Sequence, residues 1–207
     1  AECCGYMSEH KFTPRNLIES SNVTHVFTTN EIFDDLSVFG KIREKGYSFE
    51  VIPAFRADKI MNIEAEAYNL YADRLGDVKD LSGLEEKIAD RLDAFVGEGT
   101  RAADIALQSV YPVAERKDAE KIFAKRRAGK EVTAAEAAVF KGYLTYFLMR
   151  LYAEKGIVTE LHIGAMRNNN SVMLKKLGLD TGYDSMAEED GIGNMSVSYT
   201  HLTLPTT

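Results

Sequence analysis

Cysteine is scarce in this sequence, and its placement excludes two kinds of scaffold. The chain of 207 residues has two cysteines, Cys3 and Cys4, and they are adjacent. Adjacent cysteines form neither the framework of a disulfide-rich domain nor the spaced ligand pairs of a structural zinc site. The cysteine usage therefore predicts a protein of a reducing compartment, and we expect a cytoplasmic location.

Long apolar runs and an excess of basic charge are also missing. No apolar run approaches the roughly 18 residues that a membrane-spanning helix needs, and no basic-then-apolar segment opens the chain as in a signal peptide. The net charge is −7 at pH 7, whereas nucleic acids are bound by basic surfaces. We therefore expect no membrane and no nucleic-acid partner. A local basic pocket for a small anionic molecule, and a homo-oligomer, both stay open.

Charged residues are absent from the last stretch of the chain, MSVSYTHLTLPTT, although the residues before it are charged and typical of helices. The composition changes near Met195. We interpret residues 196–207 as a non-native or disordered tail that resembles a translated cloning adaptor, and a natural disordered tail is the alternative. Both interpretations predict that the segment from about Val197 makes no contact with the core.

A β-strand, a helix and a second strand follow one another in the first part of the chain. Residues 22–30 (NVTHVFTTN) are rich in β-branched side chains, and residues 48–55 (SFEVIPAF) form another such segment. Residues 31–46 between them carry apolar side chains at helical spacing and end at a glycine. Thr13 and Pro14 form a typical helix start before this unit. The order strand, helix, strand predicts a parallel sheet.

The rest of the chain is mainly helical. Helical patterns are found at 84–99, 117–129 and 133–156, and strands are predicted at 99–107 and 157–165. The sequence has neither GxGxxG nor GxxxxGK[ST], one of which a doubly wound nucleotide-binding sheet would usually show. We therefore predict an α/β fold, a partial (β/α)8 TIM barrel over residues 1–195, with an α-helical insertion at about 60–156. Such barrels place their chemistry at the carboxyl ends of the strands.

Polar side chains follow the predicted strands at those carboxyl ends. An arginine offers a planar fork for a carboxylate, an asparagine both donates to and accepts from hydroxyls, and a histidine can move a proton or bind a metal. Together these residue types predict a site for a polyhydroxylated acid. The candidates are Arg56, Asp58, Asp104, His162, Arg167 and Asn168.

Each candidate taken alone also has a plainer explanation. Arg56 fits a surface ion pair, Asp104 fits a loop support, and His162 on an apolar strand fits a hydrogen-bonded core histidine. The run of asparagines after Arg167 fits a turn. The prediction of a site depends on all of these side chains meeting at one edge of the sheet.

Three segments closely resemble the uronate isomerases, also called glucuronate isomerases. They are VIPAFRADKIMNIE (51–64), KIADRLDAFVGEGTRAADIAL (87–107) and LHIGAMRNNNSVMLKKLGLDTGYDS (161–185). The family pattern is Pro-Ala-Trp-Arg-Pro-Asp-Lys, then His-Ile-Gly-Ala, one variable residue and Arg-Asn-Asn-Asn. The resemblance runs from about residue 11 to about residue 192. Departures include Phe55 for tryptophan, Ala57 for proline, and Ile105 where many members carry histidine.

This resemblance implies a (β/α)8 barrel and an intramolecular oxidoreductase of the amidohydrolase-like superfamily. Such enzymes interconvert D-glucuronate with D-fructuronate and D-galacturonate with D-tagaturonate. The resemblance implies His162 as a catalytic residue and Arg56, Arg167 and Asn168 as substrate-binding residues. From their position after the strands, Asp58 and Asp104 are expected to support the loops.

The family's metal ligands have no counterpart in this sequence. Members bind a divalent metal, zinc or manganese, through a His-x-His on the first strand and an aspartate on the last. The four histidines here are His10, His25, His162 and His201, and no two are separated by a single residue. We therefore expect an internal fragment of a chain about twice as long, without isomerase activity of its own. Two alternatives stay open, a metal-dependent hydrolase of the same superfamily and a non-catalytic helical interaction module.

Overall fold

Parallel strands joined by helices form the centre of the molecule. A computed structural model describes residues 2–9 and 12–186. Its main sheet contains the strands β1 (His25–Glu31), β2 (Glu50–Arg56), β3 (Ala102–Leu107) and β4 (Val158–Ile163). Neighbouring strands are parallel, and their order in the sheet is their order in the chain. This topology confirms the α/β prediction, because consecutive strands of a β/α barrel are neighbours in this way.

Helices connect the strands and cover one side of the sheet. A short antiparallel pair, β5 (Ala165–Met166) and β6 (Ser185–Met186), follows β4. The predicted tail at 196–207 lies outside the described residues. The helices are α1 (Glu2–Glu9), α2 (Pro14–Ser20), α3 (Ser37–Arg43), α4 (Asp58–Met61), α5 (Tyr68–Arg74), α6 (Leu81–Gly97), α7 (Arg116–Arg127), α8 (Ala134–Lys155) and α9 (Ser171–Leu177).

Two predicted helix starts are confirmed by their capping hydrogen bonds. The Thr13 side chain accepts a hydrogen bond from the Asn16 N–H, and Pro14 occupies the first turn of α2. At the start of α8, Thr133 and Glu136 form both hydrogen bonds of a capping box. Gly156 ends α8 with φ 66°, in the left-handed region that favours glycine.

The predicted helix at 31–46 is wrong over its first part. Glu31 is the last residue of β1, and α3 does not begin until Ser37. The N–H of Ile32 donates to the carbonyl of Arg56 at 2.8 Å, which continues the pairing of β1 with β2 for one more residue. Ile32 is fully buried from this strand-end position. The side chain of Ile32 is apolar and stands at a helical spacing from the apolar residues that follow it, which led to the wrong prediction. It reaches the core from the end of a strand and not from a helix.

The core lies between the sheet and the helices α6 and α8. Phe55 of β2 is fully buried, and its ring is edge-on to Phe95 of α6 and Tyr152 of α8, with centroids 5.0 and 6.0 Å away. The opposite face of the sheet is exposed at its edge strands, where Phe27 and Val158 are 47% and 69% exposed, whereas Ile52 in its centre is only 8% exposed. Directly opposed residues of parallel strands share a face, so this face also carries Arg56 and Asp104.

The predicted helical insertion at about 60–156 encloses a strand of the main sheet. β3 pairs with β2 and β4 and separates α4, α5 and α6 from α7 and α8. The helix predicted at 84–99 is part of α6, and its apolar side chains at helical spacing, Leu84, Ile88, Leu92 and Phe95, are fully buried. In the part of the chain that the structure describes, no helix has the length and apolarity to cross a bilayer. The division of the chain into domains stays a prediction.

Gly142 of α8 lies against the loop that follows β3. A Cβ built on Gly142 would overlap the carbonyl oxygen of Pro112 and lie 3.1 Å from its carbonyl carbon. We expect Gly142→Ala to lower the free energy of unfolding by about 1–3 kcal/mol, because overpacking against backbone outweighs alanine's better helix propensity. Gly97→Ala at the end of α6 is the matched control, since a Cβ there meets nothing within 4 Å. Thermal unfolding of both variants measures the difference, and equal stabilities would contradict this packing.

Candidate active site

Four charged side chains lie directly opposite one another across the main sheet. Glu31 of β1 pairs with Arg56 of β2, Arg56 with Asp104 of β3, and Asp104 with Glu160 of β4. Asp104 was expected at the end of its strand, but it is the third residue of β3 and only 4% exposed. The register therefore places the predicted Arg56 and Asp104 side by side and adds two glutamates that sequence patterns did not indicate.

Arg56 is held by carboxylates on two sides. Its Nη2 donates a hydrogen bond to Asp104 Oδ2, and its Nε lies 3.5 Å from Asp58 Oδ2. Burial works against the charge of Arg56, but the hydrogen bond and the charge of Asp104, with smaller effects of Asp58 and Glu31, raise its pKa. The guanidinium is thus a fixed cation with a set orientation, as a ligand-binding fork requires.

Asp58 ties the end of β2 to β3. It is the first residue of α4, and its Oδ1 accepts a hydrogen bond of 3.1 Å from the N–H of Ala106. Burial raises the pKa of Asp58, against the opposing effects of the Ala106 N–H and the Arg56 charge. This geometry agrees with a support for the loop after β2, and Asp104 supports Arg56 itself.

His162 lies near the end of β4, opposite Ala106. Its side chain is 45% exposed, and Nε2 is 3.8 Å from Asp104 Oδ2 and 3.7 Å from Glu160 Oε1. The alternative of a buried core histidine does not hold at this exposure. Both distances are longer than a hydrogen bond, so the two carboxylates lie beside the imidazole without holding it.

The residues after β4 form a turn that is held by Asp184. The Arg167 Nη1 donates to Asp184 Oδ2 at 2.8 Å, and the backbone N–H of Asn168 donates to Oδ1 at 2.9 Å. The N–H of Asn168, the largest cause, and the Arg167 side chain together lower the pKa of Asp184. Asn168 has φ 55°, and its side-chain oxygen accepts a hydrogen bond from the N–H of Asp180.

These side chains surround a cavity of about 650 Å³ at the carboxyl ends of β2, β3 and β4. Four predicted residues line it, namely Arg56, Asp58, His162 and Arg167. Asn169 lines it as well, whereas Asn168 does not. The Asn168 side-chain oxygen accepts from Asp180, and the Asn169 amide donates to Ser185 Oγ, which leaves the Asn169 oxygen for a ligand. The volume and the polar lining suit a small polyhydroxylated ligand.

Several lining residues were not found by the rule that strand ends carry the site. They come from the loop after α4, the segment after β3, helix α8, the turn after β4 and the segment after α9. These residues are Glu64, Gln108, Tyr111, Lys141, Asn169 and Asp180. One signal was available for Lys141, a charged residue between Phe140 and Gly142 in an otherwise apolar stripe. Asn169 belongs to the run of asparagines after Arg167, whereas the other four are brought to the cavity by tertiary folding, which leaves no local pattern.

The donor atoms around the cavity do not form a metal centre. Within residues 2–9 and 12–186, no group of three or more histidine, cysteine, aspartate and glutamate side chains is placed to hold a metal ion. A tight site needs at least three convergent ligands. The described residues therefore do not fit the divalent metal that the resemblance implies.

Solved uronate isomerases share this fold. The structure of uronate isomerase from Thermotoga maritima superposes with a TM-score of 0.87 at 24% identity, over 92% of this chain and 44% of that one. The structure of glucuronate isomerase from Caulobacter crescentus gives a TM-score of 0.84 at 25% identity, over 92% of this chain and 41% of that one. The partial barrel prediction agrees with both.

Sequence comparison leads to the same family. The chain is 37% identical over 203 residues to the uronate isomerase of Caldanaerobacter subterraneus. The aligned region covers 93% of this chain and 42% of that protein. The chain thus spans less than half the length of these relatives. A family model described as glucuronate isomerase matches residues 1–204, a span that reaches into the segment 196–207. The hydrolase and the helical module are not favoured by these matches, and the chain belongs to the glucuronate isomerase family.

Proposed function

We propose that this chain supplies part of the active site of an enzyme that interconverts the aldose and ketose forms of a hexuronate. The pairs would be D-glucuronate with D-fructuronate and D-galacturonate with D-tagaturonate. The observation that carries the proposal is the position of Arg56 and His162 on the wall of one polar cavity at the carboxyl ends of β2 and β4. Family membership supports the reaction class.

Arg56 binds the uronate through its carboxylate or a neighbouring oxygen. Asp104 accepts a hydrogen bond from Nη2 and is nearly buried, so it orients the guanidinium from below the cavity. A guanidinium has five N–H donors, and those that Asp104 does not occupy can bind a ligand oxygen. Arg167, whose side chain is 56% exposed, provides a second cation on the same wall.

His162 acts on the oxygen atoms near the reacting carbons. The isomerisation removes the proton on C2 of the aldose, passes through an enediol, and delivers a proton to C1, while a proton also moves between the two oxygens. An imidazole can donate to or accept from such an oxygen near neutral pH. The side chain of His162 is 45% exposed on the cavity wall and can therefore reach such an oxygen. Asn169 binds a substrate hydroxyl through its side-chain amide. Asn168 stabilises the turn after β4 instead.

A divalent metal, zinc or manganese, would polarise the carbonyl if the enzyme holds one as its family implies. The described residues provide no ligand set for it, so the roles above use this chain's own side chains alone. Homo-oligomer formation and a cytoplasmic location stay predictions.

Turnover of hexuronates by a protein of the relatives' full length that carries this segment tests the proposal. We expect ketose formation from D-glucuronate or D-galacturonate. D-glucose lacks the carboxylate, so a charged contact is lost. Its kcat/KM should be lower than that of the hexuronate by a factor on the order of a hundred or more. The ketose is measured by coupling its formation to a dehydrogenase that reduces it. A protein that hydrolyses amides or esters but isomerises neither hexuronate would contradict the proposal and favour the hydrolase.

A further inference from the structure

Lys141 is a nearly buried cation in the wall of the cavity. It lies in the middle of α8 and is 9% exposed, while Phe140, Leu144 and Leu148 of the same helix are fully buried. Lysine is rarely buried to this degree unless it is paired. Lys141 also lines the cavity that contains Arg56 and His162.

Two neighbours fix the ammonium group of Lys141. Its Nζ donates a hydrogen bond to Glu64 Oε1, and it lies 5.7 Å from the centroid of the Tyr111 ring, within cation–π range. The ring is brought there by the close approach of the segment after β3 to Gly142, which has no Cβ in the way. The helix, the loop after α4 and the segment after β3 therefore converge on one side chain.

Stability alone is a poor explanation for this pair. Taking the Lys141 ammonium out of water costs free energy that its attraction to the partly exposed Glu64, whose side chain is 39% exposed, recovers only in part. Well-packed apolar residues often stabilise such a position equally well. The pair instead gives the cavity wall a donor next to an acceptor, because Glu64 also lines the cavity. The Nζ has three N–H donors, and Glu64 accepts from one of them.

We propose that Lys141 and Glu64 together bind a non-reacting hydroxyl of the sugar acid and so position the substrate. A hydroxyl accepts one hydrogen bond and donates another, which matches the pair, whereas a second carboxylate would face Glu64. This inference rests on the proposed hexuronate isomerase function. It assigns to α8 a role in substrate binding in addition to its role in the core.

The test measures kcat/KM in the full-length enzyme that carries this segment. Lys141→Met keeps the side-chain length and removes the donor, and Lys125→Met is its matched control. Lys125 also forms a Lys–Glu pair, with Glu136 at 2.7 Å, but it does not line the cavity. We expect Lys141→Met to lower kcat/KM for D-glucuronate by about tenfold to a hundredfold, and Lys125→Met to leave it within about twofold. Lys141→Arg should restore part of the loss.

Substrates that lack one hydroxyl separate binding from a general effect on the fold. The panel is D-glucuronate deoxygenated at C3, at C4 or at C5. The inference predicts that Lys141→Met and the wild type become equal on one of these three, because the contacted hydroxyl is gone. An equal loss on all substrates, or no loss, would overturn it.

Further outcomes distinguish a failure of this inference from a failure of the proposed function. If Lys141→Met does not fold, as its melting temperature would reveal, Glu64→Gln at a half-exposed position takes its place with the same expectations. A wild-type enzyme that turns over no hexuronate would reject the proposed function and this inference with it. Activity that is independent of both residues would reject the inference alone.

Discussion

Arg56→Ala in the full-length enzyme that carries this segment is expected to lower kcat/KM for the hexuronate by about a hundredfold or more, on the order of 3 kcal/mol. Arg56 lines the cavity, and Asp104 and Asp58 hold its guanidinium in one orientation. The loss is expected because a charged contact with the uronate disappears. Arg56→Lys should not restore full activity, because an ammonium lacks the planar fork.

A second variant separates this contact from stability. Removing Arg56 alone leaves Asp104, whose side chain is 6% exposed, without its hydrogen-bonded cation. That change should also lower the melting temperature. Arg56→Ala combined with Asp104→Ala should recover part of the stability but none of the activity. Arg43→Ala, which removes a surface ion pair with Glu98 at 2.5 Å, is the control for the loss of an arginine. Unchanged kinetics in a folded Arg56→Ala enzyme would refute the role.

The main sheet could be predicted from the sequence because its signals are local. β-branched segments, the cap at Thr13, the capping box at Thr133 and the glycine stop at Gly156 each act within a few residues. The prediction of a helix at 31–46 was wrong at its start, because there a local helical spacing competed with strand pairing. Ile32 fits a helical spacing, but its N–H completes the hydrogen bonding between β1 and β2. Tertiary pairing decided that boundary.

The candidate site was predictable only where it follows the strand ends. Arg56, Asp58, His162 and Arg167 were found because parallel strands end at one edge of the sheet. The choice between Asn168 and Asn169 depends on a left-handed residue at φ 55°, which the run of asparagines does not reveal.

The remaining lining residues depend on contacts between segments distant in the chain. Lys141 and Glu64 are 77 residues apart and meet only after α8 packs beside α4. Glu31 and Glu160 do not line the cavity, but strand register places them beside Arg56 and Asp104. Apart from the charge of Lys141 within an apolar stripe, these contacts leave no pattern in the sequence.

The 207-residue chain by itself is expected to show no isomerase activity. Catalysis needs the carbonyl oxygen, the base and the carboxylate contact to be fixed together, and positioning alone contributes roughly 7–11 kcal/mol to such reactions. The described residues supply Arg56 and His162 but no group of metal ligands. The side chains of Arg56 and His162 are also 24% and 45% exposed in this chain. Water therefore reaches the side chains that would have to act on a substrate in a closed site.

Incubation of the purified chain with D-glucuronate and added zinc or manganese tests this expectation. We expect fructuronate at the level of the protein-free blank, with and without metal. A single histidine does not make a tight metal site, so added metal should not change the result. His162→Ala is the matched control for any signal that does occur. Fructuronate above the blank that His162→Ala abolishes would show that the cavity between β2, β3, β4 and α8 suffices for catalysis, and would overturn the requirement for further strands.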